Sequence, residues 1–272
     1  MTDGSPSHPD MAYATVLGYR PLHLDLYVPE GDGPWPLAIW AHGGAWLSGD
    51  RKTLPETIAP LGFFARIQSR GYAVASVDYR LSGEARFPAQ LHDVKAAIRW
   101  LRAFAGDLGL DPGRFALWGE SAGGHLVALA GLTADAADPA LEGDVGLTGV
   151  SSAVQAVVDW YGVSDLVAMD RKRPDSPEAL LLGAQPSEAP ALATLASPTE
   201  HAHGDAPPFL CMHGTDDQIV PYSQSEHLAA MVHAYGVRCD LYPVPGADHI
   251  FAGAPDVGAL IEASIDFLDD VL

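Results

Sequence analysis

The sequence predicts an α/β fold, a doubly wound and mostly parallel sheet with helices on both faces. Three observations point there. Continuous apolar runs recur along the chain at Leu37–Ala41, Ala73–Val77, Phe115–Trp118, Val154–Val158, Phe209–Met212 and Cys239–Val244, as strands buried on both faces read. Stripes at helical spacing separate many of them. The residues with the most chemistry fall just beyond the carboxyl ends of the runs, where ligands bind in open α/β sheets.

Leu22–Tyr27 opens the pattern; its apolar–polar alternation fits a half-exposed antiparallel strand. Leu91, Val94, Ile98 and Leu101 mark a helix after the Ala73–Val77 strand. Ala122–Leu132 is helix former throughout apart from its glycines. Leu228, Val232 and Tyr235 mark another helix, and Leu260, Ile261, Ile265, Leu268 and Leu272 the last. Ser164–Pro208 breaks the rhythm. It is rich in Pro, Ala, Asp and Glu, carries one weak helical piece around Pro177–Leu182, and is too long for a plain connection. It is expected to cover the crevice as a small cap within a single domain of 1–272; a surface excursion without function is the alternative.

Composition narrows the function classes. The 272 residues suffice for one large domain, and 48% are hydrophobic, which excludes a disordered or fibrous chain. Fifteen Lys and Arg against 35 Asp and Glu give a net charge of −20. Such a surface repels phosphate backbones and anionic headgroups, so neither nucleic acid nor membrane is an expected partner. Met1–Asp10 shows neither a basic nor an apolar leader region, and a cytoplasmic location is the expectation. Cys211 and Cys239 fall in strands and read as buried thiols. Monomer and homodimer both stay open.

The most informative segment is Trp118-Gly119-Glu120-Ser121-Ala122-Gly123-Gly124. A serine hydroxyl attacks only when the chain presents it to a base. A sharp strand-to-helix turn does so, and its crowded backbone needs small neighbours. The base candidate is His249, in the loop after the last strand and before the terminal helix. His227 and His233 lie on a helix instead, His201 and His203 lie in the cap segment with no carboxylate or Cys cluster to complete a metal site, and His125 should point along its own helix. The carboxylate that orients the base is Asp216 or Asp217, at the end of the next-to-last strand. Adjacent residues there face opposite ways, so one alone can serve; Asp248 is too near His249 in sequence. Oxyanion donors are expected from the Ala122 N–H and from the loop His42-Gly43-Gly44-Ala45-Trp46, whose paired glycines admit close backbone approach.

Together these residues resemble the α/β-hydrolase fold, in its serine-esterase branch related to hormone-sensitive lipase. The resemblance runs nearly the whole chain, through Leu24–Pro29, His42–Trp46, Val77–Arg80, Gly119–Gly124, Ser197-Pro198 and His213–Asp217 with Val220-Pro221. It implies a central sheet of about eight strands. It places the acid three residues before Val-Pro, which selects Asp217, and puts the oxyanion donors at Gly44, Ala45 and Ala122. Lipase-like members often carry a third glycine where this chain has Ala45. The His-Gly-Gly-x-Trp form is more similar to bacterial feruloyl- and acetylxylan-type carboxylesterases and to kynurenine formamidases.

The expected activity is therefore a serine carboxylesterase on small soluble esters, with Ser121 as nucleophile, His249 as base and Asp217 as orienting acid, and with neither cofactor nor metal. Trp46, Tyr161, Val163 and Ile219 are expected to border the substrate pocket. An arylformamidase with the same triad is the nearest rival; a silent ligand-binding hydrolase fold is the other. Dehalogenase and epoxide-hydrolase readings require aspartate, and dienelactone hydrolases cysteine, where this chain has Ser121.

Overall fold

The computed structural model describes residues 4–272. Strand pairing begins at an edge the sequence did not advertise: β1 (His8–Ala14) is mostly exposed and pairs antiparallel with β2 (Leu22–Tyr27). β2 pairs antiparallel with β4 (Ala73–Val77), and every later pairing is parallel. With β3 (Trp35–Ala41), β5 (Leu110–Glu120), β6 (Ala156–Trp160), β7 (Phe209–Gly214) and β8 (Cys239–Val244), the described residues form one eight-stranded sheet in the order β1-β2-β4-β3-β5-β6-β7-β8. This is the α/β-hydrolase arrangement. The central strands β3 and β5 are flanked on both sides, which explains their unbroken apolar character.

Alternating residues of each strand supply two cores. On one face Leu37, Ile39 and Leu117 pack under α2 (Ala89–Ala103), α3 (Ala122–Leu132) and α7 (Ser223–Ala234). On the other, Trp40, Trp118 and Trp160 meet Phe63 of α1 (Phe63–Ser69) and the Leu260, Ile261 and Ile265 stripe of α8 (Val257–Val271). The Trp118 and Trp160 rings lie 5.0 Å apart edge to face, and Trp118 meets Phe63 at 5.1 Å. α3 is buried along its whole length, so it has no polar face to reveal its period.

The expected Val154–Val158 strand starts two residues later and runs to Trp160, paired with Ala116–Glu120. The extension carries Asp159 into the core. After a short helix α4 (Pro139–Glu142), the irregular stretch between β6 and β7 contains α5 (Pro177–Leu182), which Ser176 caps, and α6 (Pro190–Leu195). Cys211 and Cys239 are buried free thiols with their sulfurs 3.6 Å apart. Among the described residues no helix is long and apolar enough to cross a membrane.

Candidate active site

β5 ends at Glu120, and the chain reverses at Ser121, whose φ of 53° and ψ of −116° few L-residues adopt. α3 begins at the next residue. There is no room for side chains at the glycines of the turn. A Cβ on Gly123 would collide with the carbonyl of Ala41, and one on Gly119 would come within 2.5 Å of Gly123. The glycines therefore let β3, β5 and α3 meet closely enough to hold the serine at the sheet's carboxyl end.

The Ser121 hydroxyl lies 3.0 Å from His249 Nε2, and His249 Nδ1 lies 2.6 Å from Asp217 Oδ2. The three residues, expected from distant stretches of sequence, are thus brought together in series. Asp217 accepts at both oxygens. Oδ1 takes the Ile219 and Val220 N–H groups at 2.8 and 2.9 Å, and Oδ2 takes His249 and His213. Burial by itself would raise its pKa. The hydrogen bonds from His213 and His249 outweigh that and hold the carboxyl well below the usual range. Asp216 faces away; it is exposed and accepts from the Thr215 hydroxyl. Asp248 caps the His249 turn, accepting from the N–H groups of His249 and Gln218.

His213 is a member of this hydrogen-bond network that sequence reasoning passed over. Its Nε2 faces two acceptors, Asp217 Oδ2 at 3.1 Å and the Val220 carbonyl at 2.9 Å, while Nδ1 lies 2.7 Å from the Ser225 hydroxyl. The network assigns the proton to Nε2, with Ser225 donating to Nδ1. The available signal was its place four residues before Asp217. His249 itself sits on a strained loop. Ile250, a β-branched residue, has φ 56° and ψ 21°, and the Thr57 hydroxyl ties its carbonyl down at 2.5 Å.

On the opposite side of Ser121, Gly44, Ala45 and Trp46 have φ of 102°, 56° and 58°. Ala45 therefore occupies the left-handed region, where a Cβ is tolerated at about 1–2 kcal/mol, and alanine fits where a third glycine was the familiar choice. Among the described residues, the Gly44, Ala45 and Ala122 N–H groups have no acceptor, and Gly44 and Ala45 border the cavity over Ser121. That cavity has a volume of about 480 Å³. Leu47, Leu54, Pro55, Ile219 and Ile250 form its apolar walls, and Ser48, Thr53 and Glu120 add polar lining.

Of the four expected wall residues, Ile219 alone lines this cavity, and it is half exposed. Trp46 turns inward because its indole N–H donates to His125 Nδ1 at 3.2 Å. Tyr161 is fully buried, its ring wedged edge-on between His249 and Phe251 at 4.8 Å from each. Val163 belongs to the core under α3. The Leu47–Pro55 loop takes their place; its scattered polar residues hid it in the sequence.

His125 is buried, and burial pushes its pKa down to about 4; its Nε2 lies 2.7 Å from the Ala196 carbonyl. Among the described residues no group of three or more His, Cys, Asp or Glu could hold a metal ion. His201 and His203 face the carbonyls of Leu195 and Leu132. No residue of 164–208 is among the cavity's walls, although Arg171 donates to the Ile219 carbonyl at 2.7 Å and so reaches its rim.

The chain is similar to known proteins over most of its length. The BD-FAE family model matches residues 24–232. Esterase LipQ of Mycobacterium tuberculosis is 36% identical over 86% of this chain and 55% of its own length. Esterase LipC of the same organism is 35% identical over 80% and 53%. The chain thus spans about half the length of the curated relatives it matches. Among solved structures, a truncated carbohydrate esterase from gut microbiota superposes with a TM-score of 0.85 at 32% identity, covering 96% of this chain and 94% of that one. The propionate-bound esterase Est2 of Thermogutta terrifontis gives 0.79 at 28% identity, covering 98% and 95%. A strained serine at the strand-to-helix turn, an imidazole and a carboxyl in line with it, and a family match over most of the sequence agree: the chain belongs to the BD-FAE family of α/β-hydrolase-fold proteins.

Proposed function

We propose that the protein is a serine carboxylesterase acting on small soluble esters, with Ser121, His249 and Asp217 as its triad. One observation carries the reading, the unbroken Oγ–Nε2 and Nδ1–Oδ2 contacts at 3.0 and 2.6 Å. His249 Nε2 takes the hydroxyl proton as Ser121 Oγ adds to the ester carbonyl. Asp217 accepts from Nδ1–H, which fixes the tautomer and stabilises the imidazolium. The developing oxyanion is held by the N–H groups of Gly44, Ala45 and Ala122, each worth about 3–4 kcal/mol in comparable sites. The imidazolium then protonates the leaving alcohol. Water, deprotonated by the same imidazole, releases the acid from the acyl-serine.

The substrate class follows from the cavity. About 480 Å³ with apolar walls suits a short acyl or aryl group better than a long lipid chain. The relatives described as esterases, and a neighbour captured with propionate, agree with an ester of a small acid. In this reading residues 164–208 act as a small cap flanking the crevice, supported by the Arg171–Ile219 and His125–Ala196 contacts.

Ser121→Ala should lower turnover of nitrophenyl acetate by roughly 10⁴–10⁶-fold without moving the melting temperature. Activity within tenfold of wild type would reject the nucleophile. Rates on nitrophenyl esters of increasing chain length, measured beside an N-formyl aryl amide such as formylkynurenine, test the ester preference; faster formamide turnover would replace it.

A further inference from the structure

Glu120 stands between Gly119 and Ser121, and its side chain is buried. The residue borders the cavity, and its Oε1 accepts the Gly43 N–H at 2.6 Å, a short contact spanning 77 residues of sequence. Gly43 immediately precedes the Gly44–Ala45 pair; Glu120 lies two residues before Ala122. One bond therefore links the two chain segments that supply oxyanion donors, the loop after β3 and the turn after β5.

The Gly43 peptide unit is held from its other side as well. The Tyr79 hydroxyl donates to the His42 carbonyl at 2.8 Å, and its ring stacks on His42 at 4.3 Å. His42 Nδ1 lies 2.7 Å from the Gly43 carbonyl. A Cβ on Gly43 would collide with the Glu120 carboxyl, so glycine is what allows this approach. Placing a carboxyl here is unfavourable in itself. Burial pushes its pKa up to about 7, against the opposing pull of the Gly43 N–H and of His249. Its charge is also felt by the buried phenols of Tyr79 and Tyr161. A methionine-like side chain would fill the same space without that penalty.

We infer that Glu120 is a positioning residue for catalysis: its carboxyl oxygen, by accepting the Gly43 N–H, sets the Gly44 and Ala45 amides at the distance from Ser121 where the oxyanion forms. The inference rests on the esterase reading above. It differs from it in assigning the loop's geometry to one acceptor atom rather than to loop packing.

Two variants of nearly equal size separate these accounts. Glu120→Gln keeps an acceptor oxygen; Glu120→Met removes it. Steady-state turnover of nitrophenyl acetate, the labelling rate of Ser121 by a fluorophosphonate and the melting temperature are measured for both. Glu120→Met should lose roughly 10²–10³-fold in kcat, the effect of a lost oxyanion donor, with KM within about threefold and labelling slowed in parallel. Glu120→Gln should stay within about tenfold of wild type in both readouts. Turnover by Glu120→Met within threefold of wild type overturns the inference and leaves the esterase reading intact. So does equal loss in both variants, which would assign the effect to charge or packing. A wild-type protein that neither turns over the ester nor reacts with the fluorophosphonate overturns both.

Discussion

The two sides of the site are fixed by different means. Ser121 is held by backbone crowding: Gly119 and Gly123 bring β3, β5 and α3 together with no space left. His249 and Asp217 lie on loops after β8 and β7, toward the sheet's edge; Gly214 meets the Ala247 carbonyl closely at their base, but the two side chains themselves are held by hydrogen bonds involving Asp217, Asp248 and Ile250. Crowding over-determines a position but tolerates no added atom. Hydrogen bonds give way one at a time. A nucleophile in a strained conformation needs the first; a base that shuttles protons and rocks between two oxygens is served by the second.

Matched glycine substitutions should expose the contrast most strongly. Gly123→Ala forces a methyl into the Ala41 carbonyl, backbone that cannot move aside. It should destabilise the protein by about 3–5 kcal/mol or more and abolish turnover. Gly246→Ala, in the loop leading to His249, has a positive φ of 72° but nothing within 4 Å of the new methyl. It should cost only the local strain, about 1–2 kcal/mol, and leave most of the activity. Thermal unfolding and ester turnover of the pair check this. Comparable damage from both would show that the loop leading to His249 tolerates added atoms no better than the elbow.

On the hydrogen-bonded side, losses should be graded. His213→Leu removes one of two imidazole donors to Asp217 Oδ2. A hydrogen bond to a charged group is worth about 1.5–3 kcal/mol, so kcat should fall about 10–100-fold with KM little changed. Thr57→Val frees the Ile250 carbonyl and should cost only a few-fold in kcat, about 1 kcal/mol. A Thr57→Val effect larger than that of His213→Leu would mean that loop strain, rather than the Asp217 network, sets the imidazole.

The sequence revealed most of the crowded side and less of the rest, for physical reasons. Gly119, Gly123 and the apolar run before them are local requirements of a tight turn, so Ser121 and Ala122 were readable from residue types alone. Asp217 was distinguishable from Asp216 only through the family pattern, since which neighbour turns inward depends on Val220 and His213. The walls were misjudged because an aromatic near a strand end can face either way. Trp46 found a buried partner in His125, a contact across 79 residues that no local pattern encodes. β1 was missed because a mostly exposed edge strand has little apolar signal, and the expected β6 stopped short because the apolar run ends before Asp159, which the strand buries.

That aspartate offers the smallest and sharpest test of the comparison, because a buried carboxyl stands on each side of the site and the two are satisfied unequally. Asp217 has four hydrogen bonds and a lowered pKa; it stabilises the fold above the ordinary carboxylate range, and that stability fades as pH falls. Asp159 is pressed against Gly124 and Gly162 beside the elbow; among the described residues it accepts only the Gly162 N–H, and its Oδ2 has no partner. Burial pushes its pKa up to about 6. Its folded form therefore binds a proton more tightly than the unfolded chain, whose carboxyls titrate near 4. Stability contributed by this group is full below about pH 4 and is lost as pH rises through 6. Asp159→Asn, neutral at every pH and still able to accept from Gly162, should raise the melting temperature at pH 8 by a few degrees, about 2–4 °C. At pH 4.5 the gain should shrink towards zero, with ester turnover nearly unchanged where both proteins are folded. An equal shift at both pH values would mean that the charge on Asp159 is already compensated, and that crowding at the elbow carries no electrostatic cost.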